Sequence, residues 1–164
     1  MLKKDVFKQL YNEYFDSLRG YIYYRCGDKE LATDIAQEVF LTLWEKQKEI
    51  DPIRVKGLLY KMAGNLFVSK YRRQTLEQNY SNSLVLDFFE QSPEEQLNYK
   101  ELKKNYEVAL ASLPDKQRVV FLMSRLEELK YAEIAERLEI SVKAVEKRMK
   151  NALDKLRKAL LSNE

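Results

Sequence analysis

Apolar positions along the chain recur at helical rather than strand spacing. Phe7, Leu10, Tyr11, Tyr14, Phe15 and Leu18 fall at i, i+3, i+4, i+7, i+8 and i+11, the period of a helix with one buried face. Gly20 is expected to bend this helix before Tyr21–Cys26, and Gly27 to end it. Asp28 is placed to cap the next helix, which runs to about Lys46. That second helix is apolar on two sides. Leu31, Ile35, Val39 and Leu43 form one stripe, and Ala36, Phe40 and Trp44 form another. The remaining strip holds Asp34, Gln37, Glu38, Leu41 and Glu45. An acidic strip around one leucine can serve a basic partner, although a solvated acidic face explains the same residues.

Asp51-Pro52 marks a turn, and a third helix follows with Val55, Leu58, Leu59, Met62, Leu66 and Phe67 as its buried set. Between Pro52 and Leu76 there is no Asp or Glu. The same window holds Arg54, Lys56, Lys61, Lys70, Arg72 and Arg73, interleaved with Tyr60, Phe67 and Tyr71. Basic groups track phosphates and aromatic faces support unstacked bases, so this window is a candidate nucleic-acid surface. Phe67 is expected in the core, and Tyr60 and Tyr71 at the surface. Periodicity is lost from Gln74 to Gln91, where Asn79, Ser81, Asn82 and Ser83 precede an apolar cluster of Leu84, Val85, Leu86, Phe88 and Phe89. This stretch reads as a partly sticky linker. Ser92-Pro93-Glu94-Glu95 has the cap, proline and acids of a helix start, and that helix runs to about Ala111. Leu113-Pro114 opens another, with Val119, Val120, Leu122, Met123 and Leu126 inward.

The stretch Tyr131–Leu153 reads as two short helices joined by a tight turn. Ile134, Ala135 and Leu138 share one side of the first, with Ala135 where the helices cross, and Ile140 packs under the turn. Ser141 is placed to cap the second helix, in which Val142, Val145, Met149, Ala152 and Leu153 recur at helical spacing. Opposite Val145 lie Lys143, Lys147, Lys150 and Asn151, with Arg148 on a flank. Such a face can enter a major groove, where Lys and Arg meet phosphates and guanine edges and Asn reads adenine. An amphipathic helix pair with a solvated lysine face fits the same pattern. Glu139 occupies the turn position where Gly is usual; a left-handed backbone there costs a side chain about 1 kcal/mol.

Charge sharpens this picture. Residues 1–75 carry 14 Lys/Arg against 10 Asp/Glu, residues 76–100 carry 1 against 5, and residues 101–164 carry 14 against 11. Two mildly basic blocks flank an acidic connector, so a polyanion could engage both blocks. The chain has no histidine, which excludes Ser-His triads and His-ligated metals, and its one cysteine, Cys26, excludes an internal disulfide. No phosphate-binding glycine loop, metal-ligand cluster or catalytic constellation is recognisable, so neither cofactor nor metal nor enzyme activity is expected. No apolar run is long enough to span a bilayer and no signal-peptide core follows Lys3 and Lys4; a cytoplasmic protein with no membrane insertion is expected.

Taken together, these residues resemble the sigma-70 family of bacterial RNA polymerase sigma factors, in its extracytoplasmic function (ECF) group. DIAQEVFLTLW, Asp34–Trp44, is similar to the D-x-x-Q-E-x-F core of sigma region 2. LLYKMAGNL, Leu58–Leu66, is similar to its W-L-x-x-I-A-x-N segment, with Leu58 where Trp is common. LPDKQRVVFLM and YAEIAERLEIS resemble region 4. The resemblance implies an all-α chain of two small helical domains joined by a flexible linker: region 2 in 1–75, linker 76–96, and region 4 with the helix-turn-helix in 97–164. It implies that Asp34, Gln37, Glu38 and Leu41 bind the clamp helices of core RNA polymerase, with region 4 near the flap. Arg54, Lys56, Tyr60, Lys61, Asn65, Lys70, Tyr71, Arg72 and Arg73 would meet the minus-10 promoter element, with Asn65 near a pocket for a flipped-out base. Ser141, Lys143, Lys147, Arg148, Lys150 and Asn151 would meet the minus-35 element. An anti-sigma factor is a further implied partner. Two other readings stay open: a stand-alone helix-turn-helix regulator, which leaves residues 1–75 without a role, and a helical adaptor that binds no DNA.

Overall fold

A computed structural model of the chain describes residues 2–46, 50–77 and 99–161, with side chains described outside 71–77 and Tyr99. Among the described residues all regular structure is helical: α1 (Lys4–Cys26), α2 (Lys29–Lys46), α3 (Val55–Glu77), α4 (Tyr99–Ser112), α5 (Asp115–Leu126), α6 (Tyr131–Leu138) and α7 (Val142–Leu161). Helices α1 to α3 pack on one another, α4 to α7 form a second group, and the groups meet where α5 lies on α1 and α6 on α3.

The helix ends follow from local chemistry. Gly27 takes φ 69°, and its N–H returns to the Tyr23 carbonyl at 2.7 Å, the left-handed stop that glycine adopts without a Cβ penalty. Asp28 then accepts the Leu31 N–H at 3.1 Å and opens α2. α1 runs as a single unbroken helix through Gly20. An interior glycine costs about 1 kcal/mol in a helix. Leu18 and Ile22, fully buried on either side of it, help to offset that cost. Further on, Asp51 accepts the Ile53 N–H at 3.0 Å in the turn that leads into α3.

In α2, Ile35, Ala36 and Val39 are fully buried, and Phe40 is 2% exposed. The Phe40 ring meets Tyr11 at 5.1 Å, and Phe7 and Phe15 at 6.1 Å, so the first stripe predicted in α1 closes over the second stripe of α2. Phe67 is core, as expected, while Leu126, expected inward, is 46% exposed because α5 ends there at the surface. The apolar cluster 84–89 and the helix start at Ser92 lie outside the described residues; α4 is described from Tyr99.

Candidate nucleic-acid interface

The short α6, a left-handed corner and the longer α7 build the first surface. Glu133 accepts the Lys130 N–H at 3.1 Å at the start of α6. At its end Glu139 takes φ 54° and ψ 45°, and the Ile140 N–H reaches back to the Ala135 carbonyl at 3.0 Å. The Ser141 hydroxyl accepts the Ala144 N–H at 3.0 Å, the cap expected for α7. Ile134 and Ala135 are buried where the helices cross, against Val145 and Met149. Ser141, Lys143, Lys147 and Lys150 are exposed, and Arg148 and Asn151 are half-buried beside them. Val142, expected in the buried stripe, is 42% exposed, at the first residue of α7.

The second surface is α3. Val55, Leu59, Ala63 and Phe67, one turn apart, are buried against the other helices of the first group. Arg54, Lys61 and Asn65 are exposed, while Lys56 is half-buried and faces Glu136 of α6 at 3.7 Å. Tyr60, expected at the surface, is only 5% exposed. It lies where α6 covers α3, its ring 5.1 Å from Tyr21, and burial pushes its hydroxyl up to about 12, against the pull of Arg137. Lys70 pairs with Glu38 of α2, so one cation assigned to DNA and one carboxylate assigned to polymerase neutralise each other. Tyr71, Arg72 and Arg73 fall on the last turns of α3, and their side chains lie outside the described residues.

A third surface lies on α2. Asp34, Gln37 and Glu45 are exposed around Leu41, which is 55% exposed on a helix otherwise buried on two sides; Glu38 is half-buried by its pairing with Lys70. Among the described residues no cluster of acidic or cysteine side chains could hold a metal ion, and no helix is long and apolar enough to cross a membrane.

Three arginines that periodicity did not single out join the two groups. Arg118 of α5 is 2% exposed. Its Nε donates to the Tyr24 carbonyl at 2.6 Å and its Nη2 to that of Arg25, in the last turn of α1. Its Nη1 donates to the carbonyls of Leu113 at 3.0 Å and Ala111 at 3.2 Å, at the end of α4. One guanidinium thus satisfies the orphan carbonyls of two helix C-termini, where positive charge is also favoured by the helix dipoles. Arg25 bonds Asp115 through Nη2 at 2.6 Å and lies 4.3 Å from the Phe67 ring centroid. Arg137 bonds Glu127 of its own group at 2.9 Å and reaches across to the Tyr60 hydroxyl of α3. A cavity of about 380 Å³ remains at this junction, lined among others by Tyr60, Lys61 and Asn65 from α3 and by Arg137 and Glu139. The one hint in the sequence was Arg118 standing next to Val119 on the buried side of α5.

Sigma-70 region 2 matches residues 10–77, and sigma-70 region 4 matches residues 103–156. The ferric citrate uptake sigma factor FecI of Escherichia coli is 30% identical over 90% of this chain and 87% of its own. The chain belongs to the sigma-70 family, in its ECF group. Two ECF sigma factors of Bacillus subtilis are similar at 29% identity: SigM over 81% of this chain and 82% of its own, and SigW over 96% and 90%. In fold, the chain is like the sigma factor RpoE of Bartonella quintana, solved with the anti-sigma factor NepR, at a TM-score of 0.61 and 22% identity over 99% of this chain and all of that one. This sigma factor binds core RNA polymerase and directs it to promoters for transcription initiation.

Proposed function

We propose how the sigma factor divides this work among its residues. Region 2 spans 1–75 and region 4 spans 97–164, with 76–96 as the tether. Asp34, Gln37, Glu38 and Leu41 of α2 dock on the clamp helices of the polymerase. Arg54, Lys56, Tyr60, Lys61, Asn65, Lys70, Tyr71, Arg72 and Arg73 of α3 form the minus-10 surface. Ser141, Lys143, Lys147, Arg148, Lys150 and Asn151 of α7 enter the minus-35 major groove. The chain works in the cytoplasm, has no enzymatic activity of its own and is held in reserve by an anti-sigma factor, as the solved pairing of RpoE with NepR suggests by analogy.

The observation that carries the docking assignment is Leu41. It stands 55% exposed amid exposed Asp34 and Gln37 on α2, whose other two faces are core. A large apolar side chain ringed by acid is what a basic, partly apolar partner covers. The test is binding of fluorescent chain to purified bacterial core RNA polymerase. Asp34→Arg with Leu41→Asp alters exposed positions only, so helix content should hold while affinity falls at least tenfold. Equal affinity in wild type and variant would place the docking surface elsewhere.

A further inference from the structure

The first turns of α7 carry two exposed side chains that a phosphate-binding lysine face does not account for. Val142 is 42% exposed at the first residue of the helix, although the sequence pattern groups it with the buried stripe. Its position is well fixed. The Ser141 hydroxyl accepts the Ala144 N–H at 3.0 Å and the Ser141 carbonyl accepts the Val145 N–H at 3.1 Å. A β-branched side chain on a helix also keeps essentially one rotamer. Glu146 follows one turn later on the same edge of the helix and is exposed too. Lys143 and Lys150 flank it at three and four residues, yet among the described residues no ion pair holds it. Val142 and Glu146 therefore make a row of their own, an apolar group followed by a carboxylate, beside the row of Lys143, Lys147 and Lys150.

We infer that this row reads bases: Val142 packs on the 5-methyl group of a thymine, and the Glu146 carboxylate accepts from the exocyclic amino group of a cytosine. The inference rests on the assignment of α7 to the minus-35 element and deepens it by naming the groups read there. A helix about 10–12 Å across fills a major groove about 12 Å wide, and the N-terminal residues of a recognition helix meet the base edges. The thymine methyl is the apolar group on those edges, so it is the natural partner of an exposed valine. A carboxylate in that groove is repelled by phosphate oxygens and by the N7 and O6 acceptors of guanine. It is attracted by amino hydrogens, which cytosine presents at N4 with no acceptor beside them on the same base, whereas adenine N6 stands next to N7. Four residues advance a helix by about 6 Å, and successive base pairs are about 3.4 Å apart. The thymine and the cytosine therefore lie within about two steps of each other.

Equilibrium binding of the polymerase holoenzyme to a duplex promoter, mapped from the sigma factor's own transcripts, tests this base by base. Each minus-35 thymine is replaced in turn by deoxyuridine, which removes the methyl group alone. Each cytosine, on either strand, is replaced by thymine with its partner changed to match. Val142 and Glu146 are exposed, so Val142→Ala and Glu146→Ala leave the packing of α7 in place. One thymine should cost wild type about fourfold when its methyl is removed, the worth of one buried methyl group, and cost Val142→Ala almost nothing. One cytosine within about two steps of it should cost wild type about tenfold when replaced, and Glu146→Ala less than about threefold. On that replaced duplex Glu146→Ala should bind more tightly than wild type, because the carboxylate there faces an acceptor. A wild type indifferent to every missing methyl, or a Val142→Ala variant that loses as much as wild type, would overturn the thymine contact. The same cytosine penalty in wild type and Glu146→Ala would overturn the cytosine contact. The salt dependence of Lys143→Ala/Lys147→Ala on the same duplex separates the causes of such a failure. A slope shallower than wild type beside an unaltered base scan overturns this inference alone, and an unchanged slope beside an unaltered scan overturns the placement of α7 in the groove.

Discussion

Lys143 and Lys147 stand four residues apart on the exposed face of α7, so both can meet phosphates along one side of a major groove. Replacing both with alanine removes two cations and leaves the buried set, Val145, Met149, Ala152 and Leu156, untouched. Each phosphate that no longer meets a cation lowers the slope of log affinity against log salt by about 0.9, so the double variant should be shallower by about 1.8. Between roughly 50 and 200 mM salt, a fourfold span, that difference amounts to about 12-fold. Promoter DNA mapped from the sigma factor's own transcripts supplies the duplex, and the polymerase holoenzyme supplies the protein. The polymerase's own contacts contribute equally to both slopes and cancel in the comparison. Wild-type affinity should therefore fall about 12-fold further across this range than that of Lys143→Ala/Lys147→Ala. Parallel lines would mean that neither lysine touches DNA, and the groove assignment of α7 would fail.

Other outcomes bear on the fold that presents these surfaces. Phe40→Ala removes a ring packed among Phe7, Tyr11 and Phe15 and should cost about 3–5 kcal/mol in urea unfolding; a loss under 1 kcal/mol would contradict the packing of α1 on α2. Ser141→Ala removes the α7 cap and should cost about 1 kcal/mol, while Ser141→Gly should cost only a few tenths. Burial pushes the Cys26 thiol up from an ordinary 9 to about 11. The unfolded chain therefore gives up this proton first, and the contribution to stability is full below pH 9 and lost as pH rises toward 11. Chemical denaturation in that window should show stability falling with pH, and Cys26→Ala should flatten the fall. An identical slope in the variant would show that the thiol titrates freely.

The local devices could be read in advance because each is written in neighbouring residues. Gly27 and Asp28 end one helix and open the next, Ser141 caps α7, and the two stripes of α2 leave Leu41 outside. What stayed hidden depends on partners far along the chain. Gly20 lies inside an unbroken helix flanked by the buried Leu18 and Ile22, packing that local propensity does not know. Tyr60 has the composition of a base-stacking residue, and only the placement of α6 buries it. Arg118 donates across 94 positions to the Tyr24 carbonyl, a bond no periodicity encodes, since a guanidinium beside an apolar stripe usually lies along the surface. Lys70 and Glu38, assigned to different partners, neutralise each other across α2 and α3.

The division of labour between α2, α3 and α7 is tested most directly by footprinting one mapped promoter with the chain alone, core polymerase alone, and the two together. Joint protection of both promoter elements, with strand opening near minus-10, is expected only from the mixture, and is expected to disappear with Asp34→Arg/Leu41→Asp. Equal protection by the chain alone, unchanged by polymerase, would be the behaviour of a stand-alone DNA-binding regulator and would contradict the assignment.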